Sequence, residues 1–464
     1  MEGLKAEAKS DYRADIDGLR AVAVIPVMLF HFHSDKLAPG GFVGVDIFFV
    51  ISGFLITRLI HQETAAGSFT LQDFYSRRIR RIVPALVAMI LFVLGCTFFT
   101  GFPGDVKSLS HNILAAMFSV SNIVFYRQSG YFDAAMAHNP LLHTWSLGVE
   151  EQFYFCFPLL MVLLRRRSHR TRVMTLGLIA LASFAWAVFQ VRVQPAAAFY
   201  LLPSRAWELM TGALLAIGAF PAVSGRRVAQ VAGLAGLVLI LGSIRLLSSG
   251  TPFPGAAALP PCIGAALIIW SGAGVGARTL VATVLSSAPF RIVGLISYSL
   301  YLWHWPIYVM YGDVIRTPFG SEKVILVGCC LLVSWLSYRF IETPFRRARR
   351  TVKGAVVAVP AVCAMAVFAS ASASAVSLPP DVGAVLAFSN YDAGQAMRVG
   401  QCFLIPSDHH ARFNSDVCLK AQPGKKNVLL LGDSHAADLM AGFAEVRRDV
   451  NYLQANATGC MPVL

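Results

Sequence analysis

Long apolar stretches separated by short polar segments run through most of the chain and predict a helical membrane protein. A bilayer core about 30 Å thick needs about 20 predominantly apolar residues per helix. Twelve stretches of roughly this kind are candidates: 18–33, 41–60, 82–100, 110–126, 145–164, 173–191, 205–220, 228–247, 256–272, 290–311, 322–341 and 354–376. The polar residues between them indicate which ones cross the membrane.

Basic clusters fall between the apolar stretches, at 77–81, 165–172, 226–227 and 346–350. Short basic loops stay on the cytoplasmic side of a membrane. All four clusters share that side if the N-terminus is cytoplasmic and the stretch at 110–126, the most polar, does not span. We therefore predict eleven transmembrane helices, a periplasmic insertion at about 101–144, and a last helix that carries the tail outside.

Composition also indicates a polytopic membrane protein. Of the 464 residues, 56% are hydrophobic and 14% are charged, and the mean hydropathy is +0.61. This balance excludes a soluble domain, and we expect lipid around the chain. The net charge of +14 lies in membrane loops, which argues against a nucleic-acid partner. The polar N-terminus lacks a cleavable signal pattern, so we expect the first span to be retained.

The first apolar stretch, DGLRAVAVIPVMLFHFH, contains Arg20 and His31 eleven residues apart. On a helix this spacing is about three turns, so both side chains share one face about 16 Å apart along the axis. Ionisable residues are costly inside a bilayer and indicate function there. We expect Arg20 to hold an anion near one membrane face and His31 to perform proton or acyl chemistry deeper in.

Other polar residues fall at the level of His31 in this topology. They include three acids and four expected substrate contacts: Asp46, Glu150 and Glu151, then Arg205, Glu208, Tyr301 and His304. Polar groups from several spans at one level predict a chamber inside the bundle. Near the inner face, Arg20 and the RRIRR segment predict a site for a polyanion such as a phosphorylated cofactor. The arginines of that segment are Arg77, Arg78, Arg80 and Arg81.

Six of the nine cysteines lie in apolar stretches, where they suit packing, and three lie in the tail. In an extracytoplasmic tail Cys402 and Cys418 could form a disulfide, which leaves Cys460 without an obvious partner. No cluster of histidine, cysteine and aspartate has the spacing of metal ligands. We expect neither a metal nor a permanently bound cofactor.

The tail has a different pattern from the rest of the chain. KKNVLLLGDSHAADLMAGFAEVRRDVNYLQAN predicts a strand, a tight turn, a helix and a strand, with Ser434 at the turn into the helix. Backbone N–H groups at such a helix start can form an oxyanion site. We predict an additional span at 351–376, a periplasmic linker at 377–400 and the start of an α/β fold at 401–464.

Seven segments, in order, resemble the acyltransferase-3 family of bacterial membrane proteins over about residues 11–350. They are DGLRAVAVIPVMLFHF, GGFVGVDIFFVISGFLIT, SRRIRRIVPAL, LLHTWSLGVEEQFYFCFPLL, SRAWELMTGALLA, ISYSLYLWHWPI and SYRFIETPFRR. The resemblance implies a domain at 1–350 that transfers an acyl group, usually acetyl, from cytoplasmic acyl-CoA to a glycan. It also implies a bacterial cytoplasmic (inner) membrane location. In the family, an arginine and a histidine eleven apart are the signature pair, here Arg20 and His31.

The family's basic motif has two arginines three apart, which fits the RRIRR segment in two registers, Arg77/Arg80 and Arg78/Arg81. The resemblance implies that CoA phosphates bind this segment and Arg20. His31 would then act as a general base on a sugar hydroxyl, or take the acetyl group itself. One acid would orient its imidazole, and the sequence leaves three open: Asp46, Glu150 and Glu151.

The GDSH segment of the tail resembles the first block of SGNH-type hydrolases, which follow acyltransferase-3 domains in one subfamily, with Ser434 as the implied nucleophile. The sequence ends at Leu464, no histidine follows His435, and the family's later blocks are absent. A serine without its base is not activated. We expect a truncated, poorly packed SGNH-like domain.

The leading hypothesis is an O-acyltransferase that acetylates a cell-envelope or secreted polysaccharide. The sequence does not distinguish between four candidate acceptors: lipopolysaccharide O-antigen, capsule, peptidoglycan and an oligosaccharide. A proton-coupled transporter or flippase explains the intramembrane charges equally well, but it predicts inverted repeats that the sequence does not contain. A catalytically impaired, truncated acyltransferase is the third reading, which the intact Arg20/His31 pair opposes.

Overall fold

The computed structural model describes residues 12–32, 37–128, 138–273, 279–316, 318–347, 352–376, 380, 392–405, 408 and 413–458. The chain forms two compact units, a helical unit that ends at Ala375 and a C-terminal unit that begins at Val376. Cys460 and most of the predicted linker at 377–400 lie outside the described residues.

Helices account for nearly all of the helical unit, because a backbone in lipid must satisfy its own hydrogen bonds. They are α1 (Ala14–His31), α2 (Gly44–Ala65), α3 (Leu71–Thr100), α4 (Pro103–Met117), α5 (Ser121–Gln128), α6 (Thr144–Leu164), α7 (His169–Val193), α8 (Pro195–Tyr200), α9 (Leu202–Ala216), α10 (Arg226–Leu246), α11 (Leu259–Ser271), α12 (Leu280–Leu285), α13 (Ala288–Val314), α14 (Ser321–Ser337), α15 (Thr343–Arg347) and α16 (Val352–Ser374). Turns of 3₁₀ type at Gly41–Val43 and Gly255–Ala258 lead into α2 and α11, and a π-helical turn at Tyr338–Glu342 joins α14 to α15.

Seven helices in the described part of the chain are long and apolar enough to cross a membrane. They lie at Gly41–Ala65, Leu71–Thr100, Thr144–Leu164, His169–Val193, Arg226–Leu246, Ser321–Arg347 and Val357–Ser374. The chain is therefore a multi-pass membrane protein. The other four predicted spans also form helices: α1, α9, α11 and α13. That these four cross the membrane stays a prediction.

The stretch at 110–126 is broken into two helices. α4 ends at Met117 and α5 begins at Ser121, and Ser119 between them has a φ of 57°. At 15 and 8 residues, neither helix reaches the length that a bilayer requires. This agrees with the prediction that the stretch does not span.

The outer helices present apolar side chains away from the protein. Only 17% of the most apolar 18-residue segment of α7 is buried inside the protein. The exposed side chains of this helix include Leu178, Leu181 and Trp186. A soluble protein rarely exposes an apolar surface of this extent. This surface is therefore suited to contact with lipid.

The helices α1 and α13 cross in backbone contact. A Cβ atom on Gly294 of α13 would lie 1.7 Å from the carbonyl oxygen of Asp17 on α1. Membrane helices approach this closely where small residues line the interface. Further along the same helix pair, His31 meets His304.

The helices α2 and α9 make a second close crossing. A Cβ atom on Gly53 would lie 1.8 Å from the carbonyl oxygen of Leu209. This contact brings Asp46 of α2 to Arg205 and Glu208 of α9.

The C-terminal unit contains a parallel three-stranded sheet in the order β1–β3–β2. Its elements are α17 (Ala393–Ala396), β1 (Phe403–Leu404), α18 (Ser415–Cys418), β2 (Lys426–Gly432), α19 (Ser434–Val446) and β3 (Val450–Ala457). α19 links β2 to β3, as the tail's pattern predicts. The structure contains the Cys402–Cys418 disulfide, with 5.4 Å between the Cα atoms.

Gly294→Ala should lower the melting temperature of the detergent-solubilised protein. The new methyl group has no space beside Asp17, and overpacking of this kind costs about 1–3 kcal/mol. Gly312, on the same helix, has open space where its Cβ would lie, so Gly312→Ala is the matched control. Equal melting temperatures for the two variants would contradict the close crossing.

Candidate functional site

A pocket opens between α1, α2, α3, α6 and α13. Arg20 of α1 and Arg78 and Arg81 of α3 line it, and Glu150 of α6 is the fourth charged residue in its wall. The empty space, with the open end included, is about 800 Å³. Arg20 also pairs with Asp17 of its own helix at 3.8 Å, but Asp17 does not line the pocket. The wall itself presents three cations and one carboxylate, which favours an anionic ligand.

The arginines of the RRIRR segment lie on two faces of α3. Arg77 donates to the Glu63 carboxylate at 2.7 Å, and Arg80 donates to a backbone carbonyl of its own helix at 3.2 Å. Arg78 and Arg81 both reach the pocket, since residues three apart share a helix face. The sequence allows two registers for the basic motif. The pair Arg78/Arg81 is the one that lines the pocket, together with Arg20 of α1.

Glu150 is held at the arginine end of the pocket. The hydroxyls of Ser52 and Tyr154 both donate to its Oε1. The guanidinium of Arg78 lies over the Tyr154 ring, 5.9 Å from the centroid. Glu150 is therefore a hydrogen-bond acceptor for two hydroxyl groups, and it lies next to the pocket arginines.

Glu151 faces a neighbouring pocket that shares the Arg78 and Tyr154 walls with the first. Apolar side chains, including Phe118 and Phe155, form much of the remaining wall. The Oε1 atom of Glu151 is buried and has no hydrogen-bonding partner among the described residues. The two glutamates therefore serve different cavities, although they are adjacent in sequence.

The other end of the arginine pocket closes at Ser146 and Tyr301. Their hydroxyl oxygens lie 2.6 Å apart, and the Tyr301 hydroxyl donates to the carbonyl oxygen of His143 at 2.9 Å. The Ser146 hydroxyl also lies 3.3 Å from the same carbonyl oxygen, so either hydroxyl can donate to the other. The Tyr301 ring also contacts the His304 ring, 5.5 Å between centroids, so it forms the layer between the pocket and the histidines.

His31 pairs with a second histidine. Its Nδ1 lies 2.8 Å from Nε2 of His304, and the two rings meet edge to edge in nearly the same plane, with 5.1 Å between centroids and 13° between planes. The Trp305 ring packs against His31 at 4.8 Å. His304 is fully buried, and its Nδ1 lies 3.0 Å from the carbonyl oxygen of Leu300.

Asp46, Arg205 and Glu208 form a separate ion cluster between α2 and α9. Nη1 of Arg205 donates to Asp46 at 2.8 Å and to Glu208 at 2.7 Å, and no side chain of the three is more than 1% exposed. Four aromatic rings lie 5.4–5.7 Å from the guanidinium: Phe49, Trp145, Phe199 and Phe253. The sequence gives Asp46 as one of three candidate acids beside His31 and predicts Arg205 and Glu208 as substrate contacts. The structure instead joins Asp46 to Arg205 and Glu208, because a buried carboxylate gains more from a guanidinium than from a neutral imidazole.

Ser434, the predicted nucleophile of the tail, is the first residue of α19 and directly follows β2 and Asp433. The Asp433 side chain caps this helix by accepting from the backbone N–H of His435 at 3.0 Å. The start of the helix has the strand–turn–helix form that the sequence indicates. An oxyanion role for it stays a prediction.

Comparison with known proteins assigns both units. A family model described as an acyltransferase domain matches residues 13–388, and one described as an SGNH domain fused to AT3 domains matches residues 402–464. The chain belongs to the acyltransferase-3 family. This agrees with the resemblance that the ordered motifs predict.

Curated relatives of this acyltransferase-3 chain are bacterial. It is 33% identical over 354 residues to the peptidoglycan O-acetyltransferase OatA of Listeria monocytogenes, covering 72% of this chain and 56% of that protein. It is 32% identical over 364 residues to the O-acetyltransferase OatA of Staphylococcus aureus, covering 72% and 57%. The match thus spans little more than half the length of these relatives. No solved structure matches the chain.

Sequence reasoning missed several polar residues in the wall of the acyltransferase-3 pocket, among them Ser52, Tyr154 and Tyr298. Tyr154 had a signal, because it lies four residues after Glu150 on a predicted helix. Ser52 and Tyr298 had none, since their position depends on which helices pack together. Tyr298 donates to the carbonyl oxygen of Ile82 on α3 at 2.9 Å.

Arg205→Met should strongly destabilise this acyltransferase-3 protein, because it leaves Asp46 and Glu208 as buried, unpaired charges. Removal of one partner from a buried ion pair typically costs about 3–5 kcal/mol. Combining it with Asp46→Asn and Glu208→Gln removes those charges and should restore much of the melting temperature. A single variant as stable as the wild type, or a triple variant no better than the single one, would contradict this description of the cluster.

Proposed function

We propose that the protein transfers an acetyl group from cytoplasmic acetyl-CoA to a hydroxyl of a cell-envelope glycan. The observation that carries this proposal is the arginine pocket, which extends from Arg20, Arg78 and Arg81 to Tyr301, beside the His31–His304 pair. Planar guanidinium groups suit the phosphates of CoA, which they can bind through two hydrogen bonds at once. Membership of the acyltransferase-3 family supports acyl transfer, and the names of the relatives support acetyl.

The spacing on α1 fits a CoA donor. Arg20 and His31 lie eleven residues apart on one helix, which corresponds to about 16 Å along its axis. An extended pantetheine arm separates the phosphates of CoA from its thioester by a comparable length. With its phosphates at the arginines, the donor would direct its thioester along the pocket towards Tyr301 and the histidines.

In the proposed reaction His31 is the general base. Its imidazole removes the proton from the acceptor hydroxyl while the hydroxyl oxygen forms a bond to the acetyl carbonyl carbon. The bond between that carbon and sulfur then breaks, and the CoA thiolate takes up the proton that His31 holds. The products are the acetyl ester and free CoA.

The acceptor that we propose to test first is peptidoglycan, because the Listeria monocytogenes relative is named a peptidoglycan O-acetyltransferase. The orientation that goes with it has the basic loops in the cytoplasm, where acetyl-CoA is made, and the C-terminal unit outside the cytoplasmic membrane. The donor then enters from the side of Arg20, and the acceptor from the side of His31.

The decisive experiment is acetyl transfer from labelled acetyl-CoA in membranes that contain the full chain and native envelope glycan. We expect alkali-labile label in the glycan with the wild type and at most about 1% of it with His31→Ala, since a general base typically contributes about 10²–10⁴-fold. Equal amounts of folded protein in both membranes are the control. No label with either protein would contradict acetyl transfer to a glycan.

The two arginine pairs should behave differently towards the donor. Arg78→Gln/Arg81→Gln removes two pocket cations and should raise the KM for acetyl-CoA at least about tenfold, since a hydrogen bond to a charged group contributes about 1.5–3 kcal/mol. Arg77→Gln/Arg80→Gln makes the same change on the other face of α3 and should alter KM less than about threefold, since neither arginine lines the pocket. An equal rise in KM for the two double variants would contradict the assigned register.

A further inference from the structure

We propose that His304 is the positioning residue for His31: it fixes the tautomer and the ring orientation that make Nε2 of His31 the basic nitrogen. This inference rests on the proposed function, in which His31 is the general base. It replaces the carboxylate expected from sequence with a buried imidazole. The supporting contacts run through three residues, Leu300, His304 and His31.

The tautomer of His304 is set by the backbone. Its Nδ1 lies 3.0 Å from the carbonyl oxygen of Leu300, one turn earlier on α13, and a carbonyl oxygen can only accept a hydrogen bond. Nδ1 of His304 therefore carries the proton. Because the side chain is fully buried, the neutral imidazole is favoured over the cation, and its lone pair lies on Nε2.

The tautomer of His31 follows from that of His304. Nε2 of a neutral His304 is an acceptor, so the 2.8 Å contact requires Nδ1 of His31 to be the donor. Neutral His31 then has its lone pair on Nε2. The hydrogen bond at one nitrogen of a histidine decides which nitrogen is basic. Here the Leu300 carbonyl sets the tautomer of His304, and His304 sets that of His31.

The ring of His31 is also held in place. His304 meets its edge with 13° between the ring planes, and Trp305 packs against it with 4.8 Å between centroids. The Trp305 indole N–H donates to the carbonyl oxygen of Asn139 at 2.9 Å, which fixes that ring in turn. A base held at a defined angle loses little freedom when substrate binds.

The same contact supports the charged state of His31. When Nε2 of His31 takes the hydroxyl proton, its Nδ1–H bond to His304 becomes charge-assisted and therefore stronger. The other titratable side chains around His304 are His143, whose ring centroid is 5.9 Å away, Tyr301 and Cys330. None of these described groups is a carboxylate, so the acceptor that His304 offers to Nδ1 of His31 is a neutral imidazole nitrogen.

Three substitutions separate positioning from packing. His304→Leu removes the acceptor and should lower kcat at least about 100-fold with the KM for acetyl-CoA within about twofold, as expected for loss of a correctly oriented base. His304→Gln supplies an amide oxygen that can accept from Nδ1 of His31, and it should retain kcat within about tenfold of the wild type. His143→Leu makes the matched change at a buried histidine whose ring nitrogens hydrogen-bond to no described side chain, and it should leave kcat within about threefold.

A spectroscopic measurement on the unsubstituted full-length protein tests the same inference without catalysis. ¹⁵N solid-state spectra of histidine-labelled protein, with the His31 signal assigned by its absence from His31→Gln, should show neutral His31 protonated at Nδ1. A proton on Nε2 instead, or a His304→Leu variant with wild-type kcat, would overturn the proposal. Protonation at Nδ1 in a protein that transfers no acetyl group would support the positioning and count against the proposed function.

Discussion

Hydrocarbon cannot solvate charge, and this constraint determines where the polar side chains of the helical unit lie. Each ionisable group must face another polar group inside the bundle or a polar cavity. Two solutions are present. Arg205 pairs with two carboxylates, Asp46 and Glu208, and is enclosed by aromatic rings, whereas three arginines line a pocket with one carboxylate in its wall. The first arrangement places its charges against one another inside the protein, and the second presents cations to an open cavity.

The crossing of α1 and α13 turns that distribution of charge into a site. Arg20 and His31 lie on α1, and Tyr301 and His304 lie on α13, so one helix pair supplies an arginine of the pocket, the tyrosine at its other end and the histidine pair behind that tyrosine. Gly294 allows the helices to touch through their backbones.

The sequence predicts the helical membrane class, that the stretch at 110–126 does not span, and the residues that must face inward, because each of these depends on local hydrophobicity or on charge along one helix. It does not predict partners. One of the three acids left open beside His31, Asp46, binds Arg205 on α9, and His31 contacts a histidine 273 residues away. The register of the RRIRR segment is also undetermined without α1 and α6 beside it. Which helices pair depends on packing over the whole bundle. Neither residue spacing nor composition predicts that packing.

The central claim is that one pocket holds an anion site at the arginines and ends at Tyr301, next to the base His31. A structure of the full-length protein with a non-hydrolysable acetyl-CoA analogue tests this claim most directly. The account predicts the analogue's phosphates against Arg20, Arg78 and Arg81, with its acetyl carbonyl beyond Tyr301 and within reach of His31. An analogue bound elsewhere, or bound with its acetyl end away from His31, would contradict it.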